Sequence, residues 1–464
     1  MSMVDEQDDK FVGLADVLNS CSLFGIPPTK PEIKKYFGHS LRKEWRKQFE
    51  TVCYDVPFFA EVSFHTILGA LPNVRNIRIK VGNNEEDCRV HSILLMQSGA
   101  GKGGGFSFSH MVAERLQLNF CPSGDMTNSA ITGTFGEDKE FIPGYLHPDF
   151  DGGEVDIFAS SEASQVIDTS NSYYDRNALN NLQKCMNRMG TVDNVLSKKI
   201  GTSREVIEFN SSATLYLTTY PPKKLFSTIT QTGLLQRMIT LHVPVTLEDK
   251  IRVGIKHLDM LENYNIPELE RTIHKVVDPM QYINDFYQGV KSLSLTDDAK
   301  RILKDNVIMD LYKPLEGVEP ETANELQKFS TRYQVLCYKI AWHSAISRLS
   351  LKVEPRDVAY AKSLIIPIFR SLIAFMEEEY MPDKQKYFKS KDDRALIITA
   401  YEKIASNTGK KRPWVYKNKL EDIIEEIGGI TSQTARLKID KYRTALFNTK
   451  KHRGSTILRL KVKK

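Results

Sequence analysis

Lys102 lies in the run Gln97-Ser98-Gly99-Ala100-Gly101-Lys102-Gly103-Gly104-Gly105, directly behind the apolar stretch Ser92-Ile93-Leu94-Leu95-Met96. Glycines let a backbone wrap closely around an anion with several N–H groups aimed inward, and a lysine among them reaches terminal phosphates. From Phe106 to Leu118 the apolar residues recur at three-to-four spacing, which predicts a helix whose N-terminus opens on the loop and adds partial positive charge. The chemistry expected is nucleoside triphosphate binding through Ser98, Gly99, Ala100, Gly101, Lys102 and Gly103. Measured against G-x-x-x-x-G-K-[ST], Met96 stands at the first glycine, and Gly103 replaces the hydroxyl that ordinarily ligates Mg²⁺. A glycine-rich turn ahead of a helix, with no ligand, is the plainer alternative.

Three downstream segments carry side chains that such a site would use. GEVDIFASSEASQVI (153–167) is an apolar strand running into Glu162, a carboxylate placed to orient an attacking water. Ser161 occupies the place where an aspartate usually precedes it, and a surface glutamate after a buried strand is the bland reading. SATLYLTTYPP (212–222) is a strand ending in Thr219, whose hydroxyl at the tip suits contact with a γ-phosphate or with the water. In TGLLQRMI (232–239), Arg237 is framed by apolar residues, which is unfavourable unless the guanidinium meets an anion. An arginine finger and a structural salt bridge are the two readings.

The elements that must position these residues are legible in outline. With 464 residues the chain is long enough for several domains, and 41% hydrophobic with 26% charged residues is ordinary for a globular protein. The polar, acidic start MSMVDEQDDK and the absence of any uninterrupted apolar run near 18 residues predict neither a signal peptide nor a membrane span, hence an intracellular protein. Six cysteines are scattered singly, which supports neither a disulfide framework nor a zinc site. Apolar strands over Asp156–Ala159 and Ala213–Thr218, alternating with helical stretches, predict a mostly parallel sheet with ligands at the carboxyl ends of its strands. Arg75–Val81 reads as an amphipathic strand, and Asn83–Asp87 as a turn. The expected organisation is a small helical segment at 1–57, an α/β nucleotide-binding core at 58–270, a helical lid at 271–383 and a C-terminal unit at 384–464.

Charge separates that last unit from the rest. Residues 384–464 hold 22 Lys+Arg against 8 Asp+Glu, whereas the whole chain is only +6. A basic end on a mildly acidic body predicts contact with a polyanion. Three helical stretches (394–406, 417–427 and one from 431 or 432 to about 446) and two short strands around Lys450-Lys451-His452-Arg453-Gly454 read as a winged helix. Arg436, Lys438, Lys441 and Arg443 on its third helix suit the major groove of duplex DNA, with Lys450, Lys451 and Arg453 on the backbone. A second basic hairpin is expected at VLSKKIGTSREVIEFN (195–210), where Lys198, Lys199 and Arg204 flank a turn and suit sequence-blind phosphate contacts. Solvated lysines and, for the winged helix, protein contacts are the alternatives.

Taken together, these segments resemble the AAA+ ATPase module of the minichromosome-maintenance (MCM) replicative helicases and their phage and plasmid relatives. The resemblance spans about 58–380. FSTRYQVLCYKIAWHSA (329–345) resembles the lid-helix pattern T-x-R-x-L-E-x-x-I-R-L-x-x-x-H-A, with Arg332, Leu336, Lys339, Ile340, His343 and Ala345 on or beside the matching positions. TGLLQRM resembles L-L-S-R-F-D, TTYPP the sensor strand A-A-N-P with Tyr220 at the asparagine, and FASSEAS the box I-D-E-F-D without its aspartate. The resemblance implies an AAA+ core with a helical lid and a winged-helix domain, and ATP with Mg²⁺ as cofactors. It further implies a homo-hexameric ring, with Arg237 and Arg332 supplied by a neighbouring protomer and single-stranded DNA held in a central channel by the Lys198/Lys199 hairpins. With two usual Mg²⁺ ligands missing, Ser107 or Asp156 are the substitutes expected nearby. A DNA helicase or translocase of a replication system, of viral or mobile-element type, is therefore the leading expectation. A non-hydrolysing, nucleotide-gated DNA-binding initiator or loader is the main rival, and a P-loop enzyme acting on a small molecule or peptide is the third.

Overall fold

The computed structural model describes residues 37–53, 58–81, 84–97, 101–122, 127–136, 140–161, 163, 173–199, 206–220, 233–243, 246–263, 266–316, 320–375, 393–408, 413–428, 432–452 and 455–461. The chain divides into two compact units, Met1–Ala374 and Phe375–Lys464.

In the first unit, helices α1 (His39–Val52) and α2 (Phe59–Ala70) precede strands β1 (Arg78–Val81), β2 (Asn84–Asp87) and β3 (Ser92–Met96). Helix α3 (Lys102–Arg115), β4 (Phe120–Pro122), the short helix α4 (Asn128–Thr132) and the hairpin β5 (Gly133–Phe135) and β6 (Phe141–Pro143) follow. Next come β7 (Ile157–Ser160), α5 (Tyr173–Cys185), the hairpin β8 (Val195–Lys199) and β9 (Val206–Asn210), then β10 (Thr214–Thr219) and β11 (Ile239–Val243). Helices α6 (Leu247–Asn263), α7 (Ile266–Phe286), α8 (Pro320–Ser347) and α9 (Pro355–Phe375) complete the unit, with β12 (Ser294–Leu295) pairing in parallel with β13 (Lys352–Val353).

Five strands form one parallel sheet in the order β11-β3-β10-β7-β4. Every residue of β3, β7 and β10 is buried. The apolar runs Ile93–Met96 and Ile157–Ala159 are what strands covered on both faces require, and β10 is buried despite its three threonines. The expected boundaries of β7 and β10 shift by one residue, and the 83–87 stretch contains a strand rather than only a turn. Asn84–Asp87 pairs antiparallel with β1, setting Lys80 opposite Glu85. Cross-strand opposite charges of that kind offset a sequence of poor strand formers. Among the described residues, α9 alone is long and apolar enough to cross a membrane, and 67% of its most apolar stretch is buried within the protein.

The glycines after Lys102 serve packing as well as the loop. Gly101 adopts φ 79° at the N-cap of α3, a conformation that L side chains rarely take. An added Cβ at Gly104 would come within 2.4 Å of the Val52 carbonyl oxygen, and one at Gly105 within 2.4 Å of the Phe59 ring. Bare backbone at both positions lets α1 and α2 sit directly on α3. Their contact is a cluster of edge-to-face rings, with Phe49 5.6 Å and Trp45 5.0 Å from Phe108.

A buried polar chain ties α2 to α8 and α9. His343 Nε2 lies 2.7 Å from the Cys88 carbonyl oxygen, which only accepts, so this nitrogen carries the proton. His343 Nδ1 is then the acceptor for His65 Nδ1–H at 3.2 Å, and His65 Nε2 accepts from the Tyr360 hydroxyl at 2.8 Å. A second proton on either ring would set two donors face to face. Burial lowers both pKa values, His343 to about 4. Histidines held neutral in the fold but free to charge when unfolded favour folding above the ordinary value near 6.5; that contribution is lost as pH falls through 6.5 towards the folded value. The melting temperature of the first unit is therefore expected to fall between pH 7.5 and pH 5, and His343→Gln is expected to flatten the profile; a pH-independent Tm over that range would contradict the assignment.

The second unit contains α10 (Asp393–Thr408), β14 (Val415–Tyr416), α11 (Lys417–Gly428), α12 (Ser432–Leu446), β15 (Phe447–His452) and β16 (Ser455–Leu460). The strands pair antiparallel in the order β14-β16-β15. Ile397, Tyr401, Leu420, Ile424, Ala435, Ile439, Phe447 and Leu458 form a core of their own.

Candidate functional site

Strand register brings one group of expected residues to the carboxyl edge of the sheet. Leu95 and Met96 lead into the lysine loop, with Thr219 of β10 opposite Leu95 and Val243 of β11 opposite Met96. Lys102 is the first residue of α3, and its Nζ lies 3.9 Å from the centre of the Tyr220 ring, one residue beyond β10. Thr219 is fully buried, and its Oγ1 has no hydrogen-bond partner among the described residues. Ser98, Gly99, Ala100 and Glu162 lie outside the described residues. The residues flanking Glu162 are both held by Thr218 of β10: its Oγ1 donates to the Ser161 carbonyl at 2.8 Å, and Ala163 N–H donates to the Thr218 carbonyl at 2.9 Å. A helix N-terminus, a lysine and an orphaned hydroxyl gathered at a topological switch point suit a polyphosphate.

Fit to the expected cofactors differs between nucleotide and metal. Nothing lies within 4 Å of where a Cβ would stand on Gly103, so the first turn of α3 is open for close backbone approach by phosphate oxygens. Mg²⁺ finds no such provision among the described residues, which do not include Glu162. Among the described residues no three His, Cys, Asp or Glu side chains are grouped for a metal. Asp156 fails as a substitute ligand because it stands at the amino end of β7, the edge opposite Lys102. There its Oδ1 accepts from Arg75 Nη1 at 2.6 Å and its Oδ2 from Asn119 N–H at 2.8 Å. Ser107 is exposed one turn along α3 from Gly103.

Arg237 and Arg332 come together, but not with Lys102. Arg237 ends a short 3-10 turn just ahead of β11, at the amino edge of the sheet, where Ile239 pairs with Ser92. The strand separates it from the lysine loop by roughly 20 Å. Its Nη1 donates to the Gly233 carbonyl at 3.1 Å, while its buried Nε has no partner. Burial and then the charge of Arg332 lower the Arg237 pKa, against the weaker pull of Glu86 and Asp193. Neither arginine forms a salt bridge among the described residues. Two cations so placed, one of them half-buried, have no ion-paired carboxylate among the described residues, and Glu86 and Asp193 offset them only in part.

Leu336, Lys339, Ile340, His343 and Ala345 of α8 are buried. Lys339 Nζ donates to the Arg89 carbonyl at 3.0 Å, beside the His343–Cys88 bond, so α8 grips the backbone that enters β3. Beneath it, Arg89 and Asp87 form a fully buried ion pair at 2.9 Å, and Arg89 also donates to the carbonyls of Ala213 and Asn187. Charged residues at 85–89 give a surface-like sequence, so this brace carried no signal before the fold was known.

Lys198 lies on β8, half-buried, with its Nζ 3.2 Å from Ser129 Oγ of α4; burial lowers its pKa. The side chain of Lys199, and Arg204, lie outside the described residues. In the second unit Arg436 is exposed on α12, and Lys450 and Lys451 are exposed on β15. The side chains of Lys438 and Lys441, and Arg453, lie outside the described residues. Arg443 Nη1 is 3.4 Å from Asp440, which also takes Lys417 Nζ at 2.7 Å, so an acidic residue sits within the expected basic face. Lys450 Nζ stands 4.5 Å from the Trp414 ring centre, joining a cation to a half-exposed aromatic. A scan of protein-family models and a search of curated proteins each return no match to this chain.

Proposed function

We propose that the chain is an ATP-driven translocase or helicase that works on single-stranded DNA as an oligomeric ring, built on an AAA+ P-loop core with a C-terminal winged helix. The observation that carries this reading is the division of charge between two edges of one parallel sheet: Lys102 at the carboxyl edge, and Arg237 with Arg332 at the amino edge. A ring that sets the amino edge of one protomer against the carboxyl edge of the next completes both halves. Lys102 and the backbone of residues 99–103 would then hold the β- and γ-phosphates, and Glu162 would orient the water. Thr219, at the tip of the strand between the Lys102 loop and the Glu162 strand, would use its orphaned hydroxyl at the reacting phosphate. Arg237 of the neighbour would stabilise the charge that develops there. Mg²⁺, when bound with ATP, supplies charge neutralisation at the phosphates. Displacement of the β8–β9 hairpins would couple turnover to movement along phosphates, and the three-helix unit with its β15–β16 wing would contact duplex DNA.

Steady-state ATP hydrolysis with and without single-stranded DNA tests the reading, which expects DNA to raise turnover. A nucleotide-gated, non-hydrolysing DNA-binding initiator is favoured by two observations instead: Gly103 offers no hydroxyl, and Tyr220 faces Lys102. Tight ATP and DNA binding without turnover would select it. Because Gly103 has open space around its missing Cβ, Gly103→Ser fits without repacking. This variant is expected to tighten Mg·ATP binding roughly tenfold, the scale on which changes near a metal move its affinity. Titration calorimetry with and without Mg²⁺ checks it, and equal affinities in both proteins would contradict the expectation.

A further inference from the structure

Between α4 and the β5–β6 hairpin lies a cavity of about 370 Å³, within the range of small-ligand clefts, lined by Thr127, Ser129, Thr134, Ile142, Tyr145 and Phe150. Its aromatic wall is built: Tyr145 and Phe150 meet edge to face at 5.0 Å, and Phe158 stands behind Tyr145 at 5.6 Å. Gly144 allows the hairpin to close on α4, since a Cβ there would come within 2.3 Å of Gly133 N and 2.6 Å of the Ala130 carbonyl oxygen. No hydrogen bond involves the hydroxyl of Thr134 or Tyr145 among the described residues. A cation stands beside the lining, where Lys198 Nζ meets the hydroxyl of the lining residue Ser129 at 3.2 Å. The two hairpins are braced by ring contacts running from Phe141 to His147 at 5.2 Å and from His147 to Phe209 of β9 at 4.6 Å.

We propose that this cavity receives one unpaired base of a single DNA strand, with the adjoining phosphate at Lys198. The inference rests on the reading that the chain binds single-stranded DNA, and it adds to the phosphate contacts a place for the base. Planar apolar walls, hydroxyls at the edges and an ammonium beside the lining match a nucleotide better than a bare anion or a purely apolar ligand. Each step of the hairpin along the strand would then release one base and capture another, so the grip follows nucleotide units rather than uniform charge. A free mononucleotide offers the same chemistry, and the test separates the two sources.

Fluorescence anisotropy with labelled oligo(dT), and with an abasic strand of equal length and charge, measures the base contribution on full-length protein. Wild type is expected to prefer oligo(dT) about tenfold, the scale of one stacked base. Thr134→Trp, at an exposed strand position, is expected to fill the mouth and erase that preference while leaving abasic-strand binding intact. Tyr145→Phe keeps the ring and is expected to retain most of the preference, whereas Lys198→Ala weakens both strands alike. Equal wild-type affinity for the two strands, or a preference that survives in Thr134→Trp, overturns the base pocket and leaves the DNA reading standing. Failure of wild type to bind either strand removes the DNA reading and the pocket with it. Thymidine monophosphate binding that Thr134→Trp abolishes, without any base preference on strands, would assign the cavity to a free nucleotide and overturn the proposal.

Discussion

Lys102→Ala is expected to lower ATP turnover by at least about a hundredfold and to weaken ATP binding, while the melting temperature stays near that of wild type. The first effect follows if Lys102 is the charged donor proposed for the phosphates, where loss of one preorganised donor costs about 10² to 10³ in rate. The second half of the expectation follows from the fold. Lys102 stands at the first position of α3 and is not among the buried core residues. Its ring contact with Tyr220 is half-exposed and contributes little to stability. Steady-state kinetics, nucleotide titration and thermal melting read the three quantities separately. A variant that loses turnover only because it melts early would remove Lys102 from the site.

Tyr220 supplies a control for that result. In the present arrangement its ring engages the lysine, and a triphosphate would draw the same ammonium towards its phosphates. Tyr220→Ala leaves the sheet untouched, because β10 ends at Thr219.

The strand and helix that flank Lys102 could be read from residue types alone, because they are contiguous with it. The glycines around Lys102 and the all-buried strand ahead of them are contiguous, so one window of sequence contains both the loop and its support. The edges of the sheet were harder. Asp156 was expected near Lys102 as a substitute metal ligand, yet it begins its apolar strand instead of ending it. Only the pairing of Thr214 with Ile157 reveals which edge it occupies. Residues 84–87 read as a turn because Asn, Glu and Asp are poor strand formers, and pairing with β1 overrode that preference. His65 and His343 are 278 positions apart, so no periodicity connects them until α2 and α8 pack. Asp440 was visible four residues beyond Arg436 on the same helix face, and its pairing with Lys417 and Arg443 reduces the basic character expected of α12. The cavity beside Lys198 draws on α4, a hairpin and the segment after it, and nothing in those stretches separately marks a ligand.

Arg237→Ala is expected to preserve ATP binding and cut turnover by about a thousandfold, the lower end of what an arginine supplied to transferring phosphate contributes. Its position explains the split. Within one chain it lies at the opposite edge from Lys102, so its loss leaves that protomer's Lys102 loop intact. It is partly buried with an unpartnered Nε, and the strongest charge acting on it is that of Arg332, so removing it relieves repulsion and is expected to hold or raise stability. Unchanged turnover alongside unchanged stability would make Arg237 a bystander, and a marked loss of stability would make it a structural residue.

The most direct measurement of the central claim mixes the two variants. Lys102→Ala and Arg237→Ala are each expected to be inactive alone, because every site in either assembly lacks one half. Co-assembled in equal amounts, they place an intact Lys102 loop against an intact Arg237 at a fraction of the interfaces. ATP turnover in the mixture is therefore predicted to rise well above either variant, with DNA stimulation restored. Proven co-assembly with no recovered turnover, or full activity in either variant alone, would contradict a shared site between protomers.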